Sequence, residues 1–226
     1  MEPRTVLIFG DSNTWCYNPD GSGRFPPSAR WTLGVERILT ERDAERATRV
    51  VEMGLNARTW FKEDPIGPCA GEYSCLGRAA LLPILHSVKP VALVVLALGA
   101  NDCKTHFALN PAQIAEGARV LIRDVQKSTA TGASPSGAQP QILLLAPPLL
   151  ECTPTSAAWG FAGCEAKSAA LGACYAKVAT EEGVHFLDLA RVARVSPLDG
   201  IHFGADSQAA LSAAVSDAAA AALGIR

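Results

Sequence analysis

The sequence of 226 residues has little of several features that mark specialised protein classes. Aromatic residues make up 6% of it and charged residues 19%, and the formal net charge is only −2. This balance gives no electrostatic basis for binding nucleic acid or an anionic membrane surface. The longest apolar run, residues 91–98, is far shorter than the roughly 18–20 residues that span a bilayer. We therefore expect neither nucleic acid nor a membrane as a partner.

Cysteine patterns that mark secreted or redox proteins are also missing. The seven cysteines are scattered, and no two of them form a C-x-x-C pair. An odd, scattered set argues against a complete disulfide framework and for reduced thiols. The first residues, MEPRTVLIFGDS, lack the apolar stretch and small-residue cleavage site of a secretory signal. We expect a cytoplasmic protein.

Several motifs of cofactor and metal chemistry are absent as well. The sequence contains neither a P-loop nor a G-x-G-x-x-G stretch, so no phosphate-cradling loop is predicted. It contains no H-E-x-x-H and no paired Cys/His cluster, so we predict no metal and no cofactor. The G-x-S-x-G turn is missing too. A serine nucleophile would have to lie at another kind of strand–helix corner.

Five short aliphatic runs recur along the chain, and their nearly continuous apolar character is typical of parallel strands buried on both faces. The predicted strands are residues 5–10, 49–54, 91–99, 141–148 and 184–189. Segments with helical spacing lie at 30–42, 73–88, 111–128, 167–183 and 207–224, and loops at 18–30, 62–72, 129–140 and 151–163. This alternation predicts one α/β domain, 1–226: a three-layer α/β/α sandwich with a five-stranded parallel sheet.

Polar residues follow the predicted strands where each strand ends. Because ligands bind beyond the carboxyl ends of strands in an open parallel sheet, these residues are candidates for a site. Gly10, Asp11 and Ser12 follow the first strand, residues 54–58 the second and residues 99–102 the third. The tail beyond the fifth strand carries Asp199, Gly200, Ile201 and His202. The set offers a hydroxyl, glycine amides, a carboxamide, a carboxylate and an imidazole.

This set matches the needs of acyl transfer through a serine. A serine hydroxyl becomes a good nucleophile when a base takes its proton, and histidine accepts and returns protons near neutral pH. Asp199 and His202 are three positions apart, so one turn puts both side chains on the same side and the acid can orient the base. The developing oxyanion needs donors, for which Ser12, an amide of the turn 54–57 and Asn101 are candidates.

These blocks, in this order, resemble the SGNH (GDSL-type) serine hydrolase superfamily. The stretches GDSNTWCY, GLNART, LGANDCKTHF and APPLL are similar to its aryl esterase and acyltransferase (perhydrolase-like) branch. The resemblance implies a flavodoxin-like SGNH fold and hydrolysis of short-chain aryl or alkyl esters without a cofactor. Transfer of the acyl group to alcohols or peroxide is also implied. Relatives in the branch often form oligomers, so the sequence leaves open whether the protein is a monomer or a homo-oligomer.

The resemblance also implies roles for individual residues. Ser12 is expected to be the nucleophile, His202 the base and Asp199 its orienting acid. The expected oxyanion hole comprises Ser12, Asn101 and an amide of Gly54 or Ala57, an alternative that stays open. The expected substrate pocket contains Asp11, Asn13, Trp15, Asn56, Trp159 and Phe161.

The chain departs from the branch at three positions. Asn13 stands where relatives usually have Leu, Cys16 where they have Gly, and Asn56 where they have Ser or a similar small residue. These departures bear on acyl-chain preference and acyl transfer rather than on the triad.

Two other functions remain as alternatives. One is a carbohydrate O-deacetylase, which uses the same triad in a more open and polar cleft. The other is a catalytically inert α/β binding module. The presence of four polar residues with expected roles in catalysis argues against it: Ser12, Asn101, Asp199 and His202. A serine after a strand is also often only a helix cap.

Overall fold

The computed structural model describes residues 2–128 and 139–225, and a parallel sheet lies at its centre. The strands are β1 (Arg4–Gly10), β2 (Tyr17–Asn18), β3 (Gly23–Arg24), β4 (Thr48–Gly54), β5 (Leu93–Ala97), β6 (Gln141–Ala146) and β7 (His185–Asp188). Five of them form the main sheet in the order β4-β1-β5-β6-β7, and each neighbouring pair is parallel. Strands β2 and β3 form a separate antiparallel ribbon.

The side chains of the central strands alternate between two cores, one on each face of the sheet. On β1, Leu7 and Phe9 belong to one core, and Val6 and Ile8 belong to the other. All four side chains are fully buried. The continuous apolar runs in the sequence therefore arise because both faces of the sheet are covered.

Helices form the two outer layers. They are α1 (Ser12–Trp15), α2 (Trp31–Arg42), α3 (Gly77–Val88), α4 (Pro111–Lys127), α5 (Pro154–Ser156), α6 (Cys164–Glu182) and α7 (Gln208–Leu223). Helices α2 and α7 pack on the core that contains Val6, and α3, α4 and α6 pack on the core that contains Leu7. This arrangement confirms the predicted three-layer α/β/α sandwich.

The register of the sheet brings several strand ends to one level. Gly10, the last residue of β1, pairs with Gly54 of β4 on one side and with Ala97 of β5 on the other. The turns that follow these three strands therefore start side by side at the carboxyl edge. In this way the turns that carry the candidate residues become neighbours, although Gly10 and Gly54, for example, are 44 positions apart in the sequence.

Some local predictions were wrong in detail. Strand β5 is shorter than the predicted 91–99, and the ribbon β2–β3 begins one residue before the predicted loop 18–30 and otherwise lies in it. The predicted loop 151–163 contains α5, which forms because Thr153 and Ser156 cap each other's backbone N–H groups. Residues 129–138 of the predicted loop 129–140 lie outside the described residues.

Membrane spans were sought among the described helices. None of the helices within 2–128 and 139–225 combines the length and the apolar character that crossing a bilayer requires.

Candidate active site

Ser12 lies at the corner where β1 ends and α1 begins. The carboxylate of Asp11 caps this short helix, because its Oδ1 accepts a hydrogen bond from the Asn13 N–H at 2.9 Å. Gly10 allows the tight corner, since a Cβ at this position would lie 2.0 Å from Thr14 Oγ1. The corner thus holds Ser12 at the carboxyl edge of the sheet.

His202 lies between Ser12 and Asp199. Its Nε2 is 2.7 Å from Ser12 Oγ, and its Nδ1 is 2.6 Å from Asp199 Oδ2. The other carboxylate oxygen of Asp199 accepts from the backbone N–H groups of Ile201 and His202, each at 2.9 Å. One local turn therefore sets the Asp199–His202 contact, and the fold brings Ser12 to it from 190 positions away.

Asp199 keeps its charge although it is buried. Burial raises the pKa of its carboxyl group. The hydrogen bond and charge of His202, together with two backbone N–H donors, lower the pKa by more than burial raises it, so the pKa lies below its ordinary value. A carboxylate only accepts hydrogen bonds, so Nδ1 of His202 carries a proton. In the neutral ring, Nε2 is then an acceptor that faces the Ser12 hydroxyl.

The end of β4 and the turn after it carry Gly54 and Ala57, the two alternatives for the backbone amide of the oxyanion hole. Gly54 pairs with Gly10 in the sheet, and a Cβ on it would lie 2.1 Å from the Trp15 backbone nitrogen. Ala57 instead lines the cavity beside Ser12, with a left-handed φ of 61°. In the described parts of the chain, no group accepts a hydrogen bond from the Ala57 N–H. Of these two alternatives, Ala57 and not Gly54 therefore lies at the cavity.

Asn101 lines the same cavity from the turn after β5. Its Nδ2 donates one hydrogen bond to the carbonyl oxygen of Arg58 at 3.2 Å. A carboxamide nitrogen carries two protons, so a second N–H remains for a ligand. Asn101 and Ala57 thus bring amide donors to the side of Ser12.

A cavity of about 290 Å³ opens at Ser12 and His202. The rings of Tyr17, Trp159 and Phe161 form much of its wall. The Tyr17 ring centroid lies 4.5 Å from that of His202, and the Trp159 centroid lies 6.0 Å from it. His202 therefore packs beside two aromatic rings and is only 5% exposed.

Three of the six predicted pocket residues line this cavity: Asn56, Trp159 and Phe161. Further lining residues that sequence reasoning missed are Tyr17, Pro68, Cys69, Lys104 and Ile201. A signal existed for two of them, since Tyr17 ends the GDSNTWCY stretch and Ile201 directly precedes His202. Lys104 also lies in a stretch that resembles the aryl esterase branch, LGANDCKTHF, whereas Pro68 and Cys69 lie in none of the quoted stretches.

Asp11, Asn13 and Trp15 do not line this cavity. Asp11 caps α1, and burial raises its pKa to about 6. The Asn13 carboxamide bonds to backbone groups next to His202, and the Trp15 ring faces Arg24, whose Cζ is 5.5 Å from the ring centroid. Successive helical residues point about 100° apart, so the Asn13 side chain leaves α1 in a different direction from Ser12.

A second polar cluster supports the far wall of the cavity. Lys104 Nζ is 2.6 Å from Asp64 Oδ2, and Asp64 Oδ1 is 2.9 Å from His106 Nε2. The Thr105 hydroxyl donates to the Gly160 carbonyl oxygen at 3.2 Å, next to Trp159 and Phe161. The cluster therefore ties the turn after β5 to the turn that carries two cavity rings.

Metal-binding clusters were also sought. Within 2–128 and 139–225, no group of three or more His, Cys, Asp or Glu side chains is arranged to hold a metal ion.

The chain is similar to known hydrolases along nearly its whole length. A model of the GDSL-like lipase/acylhydrolase family matches residues 8–210. A solved carbohydrate acetylesterase family member from Sinorhizobium meliloti shares 32% identity, with a TM-score of 0.86 over 98% of this chain and 99% of that one. A solved aryl esterase from M. smegmatis shares 33% identity, with a TM-score of 0.85 over 97% of this chain and 100% of that one. Comparison with curated proteins gives no match.

The sheet, its polar carboxyl edge and these similarities define the class of the protein as an SGNH hydrolase. More particularly, the chain belongs to the GDSL-like lipase/acylhydrolase family. It is a carboxylic ester hydrolase, as the sequence predicted.

Proposed function

We propose that the protein is a serine esterase that acts on short-chain acyl esters, chiefly aryl or small alkyl acetates. One observation carries this proposal: a continuous hydrogen-bonded chain runs from Asp199 through His202 to Ser12 Oγ at the floor of an apolar cavity. In this proposal Ser12 is the nucleophile, His202 the general base and Asp199 the acid that orients it.

The geometry supports a two-step reaction. Ser12 Oγ attacks the ester carbonyl carbon while His202 Nε2 takes the hydroxyl proton. The carbonyl oxygen becomes negative and is stabilised by the backbone N–H groups of Ser12 and Ala57 and by Asn101 Nδ2. When the carbon–oxygen bond to the leaving group breaks, Nε2 gives its proton to the departing alcohol oxygen. Water, activated by the same nitrogen, then releases the acid from the acyl-enzyme.

The size and lining of the cavity support a small, partly aromatic substrate. A volume of about 290 Å³ is at the lower end of the range for ligand sites. Tyr17 and Trp159 offer ring faces and edges beside His202, where an aryl leaving group would depart. The similar aryl esterase from M. smegmatis supports the same substrate class.

A carbohydrate O-deacetylase is the second candidate. The similar carbohydrate acetylesterase family member supports it, and so does Asn56, which brings a second carboxamide to the cavity beside that of Asn101. Rates on 4-nitrophenyl acetate and on an acetylated sugar, measured side by side, separate the two. A clear preference for the sugar would reject the aryl or alkyl ester as the main substrate.

We further propose that alcohols or peroxide compete with water for the acyl-enzyme. The aromatic rings around His202 support this, because they restrict the water that reaches the imidazole. Ester formed from an added alcohol in water, measured against free acid, tests the idea. We also propose a cytoplasmic location, which the seven free thiols support.

The test of the catalytic assignment is Ser12→Ala together with labelling by a fluorophosphonate probe. We expect the wild type to carry the label on Ser12, and Ser12→Ala to lose activity with an unchanged melting curve. Ser87→Ala, an exposed serine of α3 bonded to Pro83 O, is the matched control and should remain fully active. An active Ser12→Ala protein, or a wild type without label, would contradict the proposal and favour an inert binding module.

A further inference from the structure

The Asn13 side chain connects the serine corner to the histidine loop. Its Nδ2 donates to the Ile201 carbonyl oxygen at 3.1 Å, and its Oδ1 accepts from the Phe203 N–H at 3.1 Å. These two backbone groups belong to the peptide units on either side of the His202 Cα. One carboxamide therefore bonds to both peptide units next to the imidazole, from the residue that directly follows Ser12.

Both ends of the carboxamide are needed for this contact. A carbonyl oxygen requires a donor and an N–H requires an acceptor, and among neutral side chains of this length only Asn supplies both. The Asn13 backbone is bonded as well, since its N–H donates to Asp11 Oδ1 and its carbonyl accepts from Trp31 Nε1, each at 2.9 Å. The carboxamide thus projects from a firmly held backbone.

We propose that Asn13 is a positioning residue that holds His202 within proton-transfer distance of Ser12. The inference rests on the proposed function, because it assigns Asn13 a role through the imidazole. Asp199 already holds the loop from within, through the N–H groups of Ile201 and His202. Those bonds orient the ring relative to its own turn. The two Asn13 bonds fix that turn relative to the nucleophile.

The position of the base matters because proton transfer is sensitive to small displacements. Nε2 and Oγ are 2.7 Å apart, and a shift of about 1 Å at a reacting group can lower a rate about 100-fold. Without the carboxamide, the Nε2–Oγ bond is the one hydrogen bond among the described residues that still joins the serine corner directly to the histidine loop.

The test compares Asn13→Leu and Asn13→Ala with the wild type. Leu keeps the length of the side chain and removes both bonds, and Ala removes them without adding bulk. We expect the rate of acylation by 4-nitrophenyl acetate, measured as a pre-steady-state burst, to fall about 100-fold in both variants. The substrate concentration that half-saturates this rate should change little, because Asn13 does not line the cavity.

A spectroscopic measurement separates positioning from stability. In the wild type, the His202 Nδ1 proton shared with Asp199 should give a far-downfield proton NMR signal, and the Phe203 amide should exchange slowly. We expect the signal to broaden and the amide to exchange faster in the variants. Asn110→Ala, which removes the cap of α4, lowers stability without touching the site and should acylate at the wild-type rate.

The outcomes are distinguishable. Folded Asn13 variants that acylate at the wild-type rate and keep the downfield signal would overturn the positioning role, while a wild type labelled at Ser12 leaves the proposed function intact. A wild type that fails to react with the fluorophosphonate would overturn the proposed function itself. If both variants fail to fold, slow exchange of the Phe203 amide in the wild type supports the inference, and fast exchange rejects it.

Discussion

Two aspartate–histidine pairs in this protein have similar geometry and different surroundings. Asp199 Oδ2 lies 2.6 Å from His202 Nδ1, and Asp64 Oδ1 lies 2.9 Å from His106 Nε2. Both aspartates are almost fully buried. In both, burial raises the pKa of the carboxyl group, but the partners lower it more, so that the pKa lies below its ordinary value.

The difference lies in what the remaining polar atoms face. The second ring nitrogen of His202 faces Ser12, so this pair ends on a hydroxyl at a cavity. The second oxygen of Asp64 pairs with Lys104, so the other pair ends on a buried cation. An aspartate–histidine contact by itself therefore does not mark a catalytic site. The partner at the far end decides between chemistry and support of the fold.

The largest expected effect is on the Asp199 pair. We predict that Asp199→Asn lowers kcat/KM for 4-nitrophenyl acetate by about 10⁴-fold, because the carboxamide no longer enforces the histidine tautomer that accepts from Ser12. The melting temperature should change far less than the activity. Steady-state kinetics and a thermal melt on one sample check this. If Asp199→Asn kept nearly wild-type activity, the Asp199–His202 pair would not be catalytic, and the distinction from the structural Asp64–His106 pair would be lost.

The corresponding change in the other pair should act on stability. Asp64→Asn leaves the buried Lys104 without its counter-charge, and breaking such a pair typically costs about 3–5 kcal/mol. We predict a clearly lower melting temperature, with most of kcat kept by the folded protein. Because the folded-state pKa of Asp64 is lowered, its contribution is present above the ordinary pKa and lost as the pH falls through the folded value. The gap to the wild type should therefore close in acid.

A third buried acid, Asp102, shows what Asp199 and Asp64 gain from the side chains that are hydrogen-bonded to them. Asp102 is fully buried, its carboxylate accepts hydrogen bonds from the Trp60 N–H, and burial raises its pKa to about 7. The folded state then holds this proton more tightly than the unfolded chain, so stability falls as the pH rises from about 4 to about 7. We predict that Asp102→Asn raises the free energy of unfolding at pH 8 by at most roughly 4 kcal/mol. The melting temperature at this pH should rise accordingly. The gain should vanish near pH 4, and an equal gain at both values would contradict the assignment.

Much of the fold was predictable from local patterns. The five apolar runs correspond to the five strands of the main sheet, because continuous burial of both faces leaves a continuous apolar signature. Helix α4 begins at Pro111 after the Asn110 cap, as its sequence signal indicated. Ribbon β2–β3 and helix α5 were missed because two- and three-residue elements are too short to show a period.

The site was predictable wherever chemistry is confined to a local turn. Asp199 and His202 are three positions apart, and the structure brings them together with Ser12 and Asn101 at one cavity. Pocket residues were harder to predict, because a direct neighbour of Ser12 such as Asn13 leaves the helix in another direction. Pro68 and Cys69 reach the cavity from a predicted loop, 62–72, that carries no signal of it.

The sequence by itself determined the class of the fold, the acid–base pair and the inventory of donors, because each depends on residue type, spacing within one turn or apolar periodicity. Only the tertiary structure decided that Ala57 rather than Gly54 lies at the cavity, and that Asn13 faces the backbone beside His202. The physical reason is that such choices depend on the register of β1 with its neighbours and on which way each side chain leaves its turn. Those quantities are set by contacts between segments that lie up to 190 positions apart in the chain.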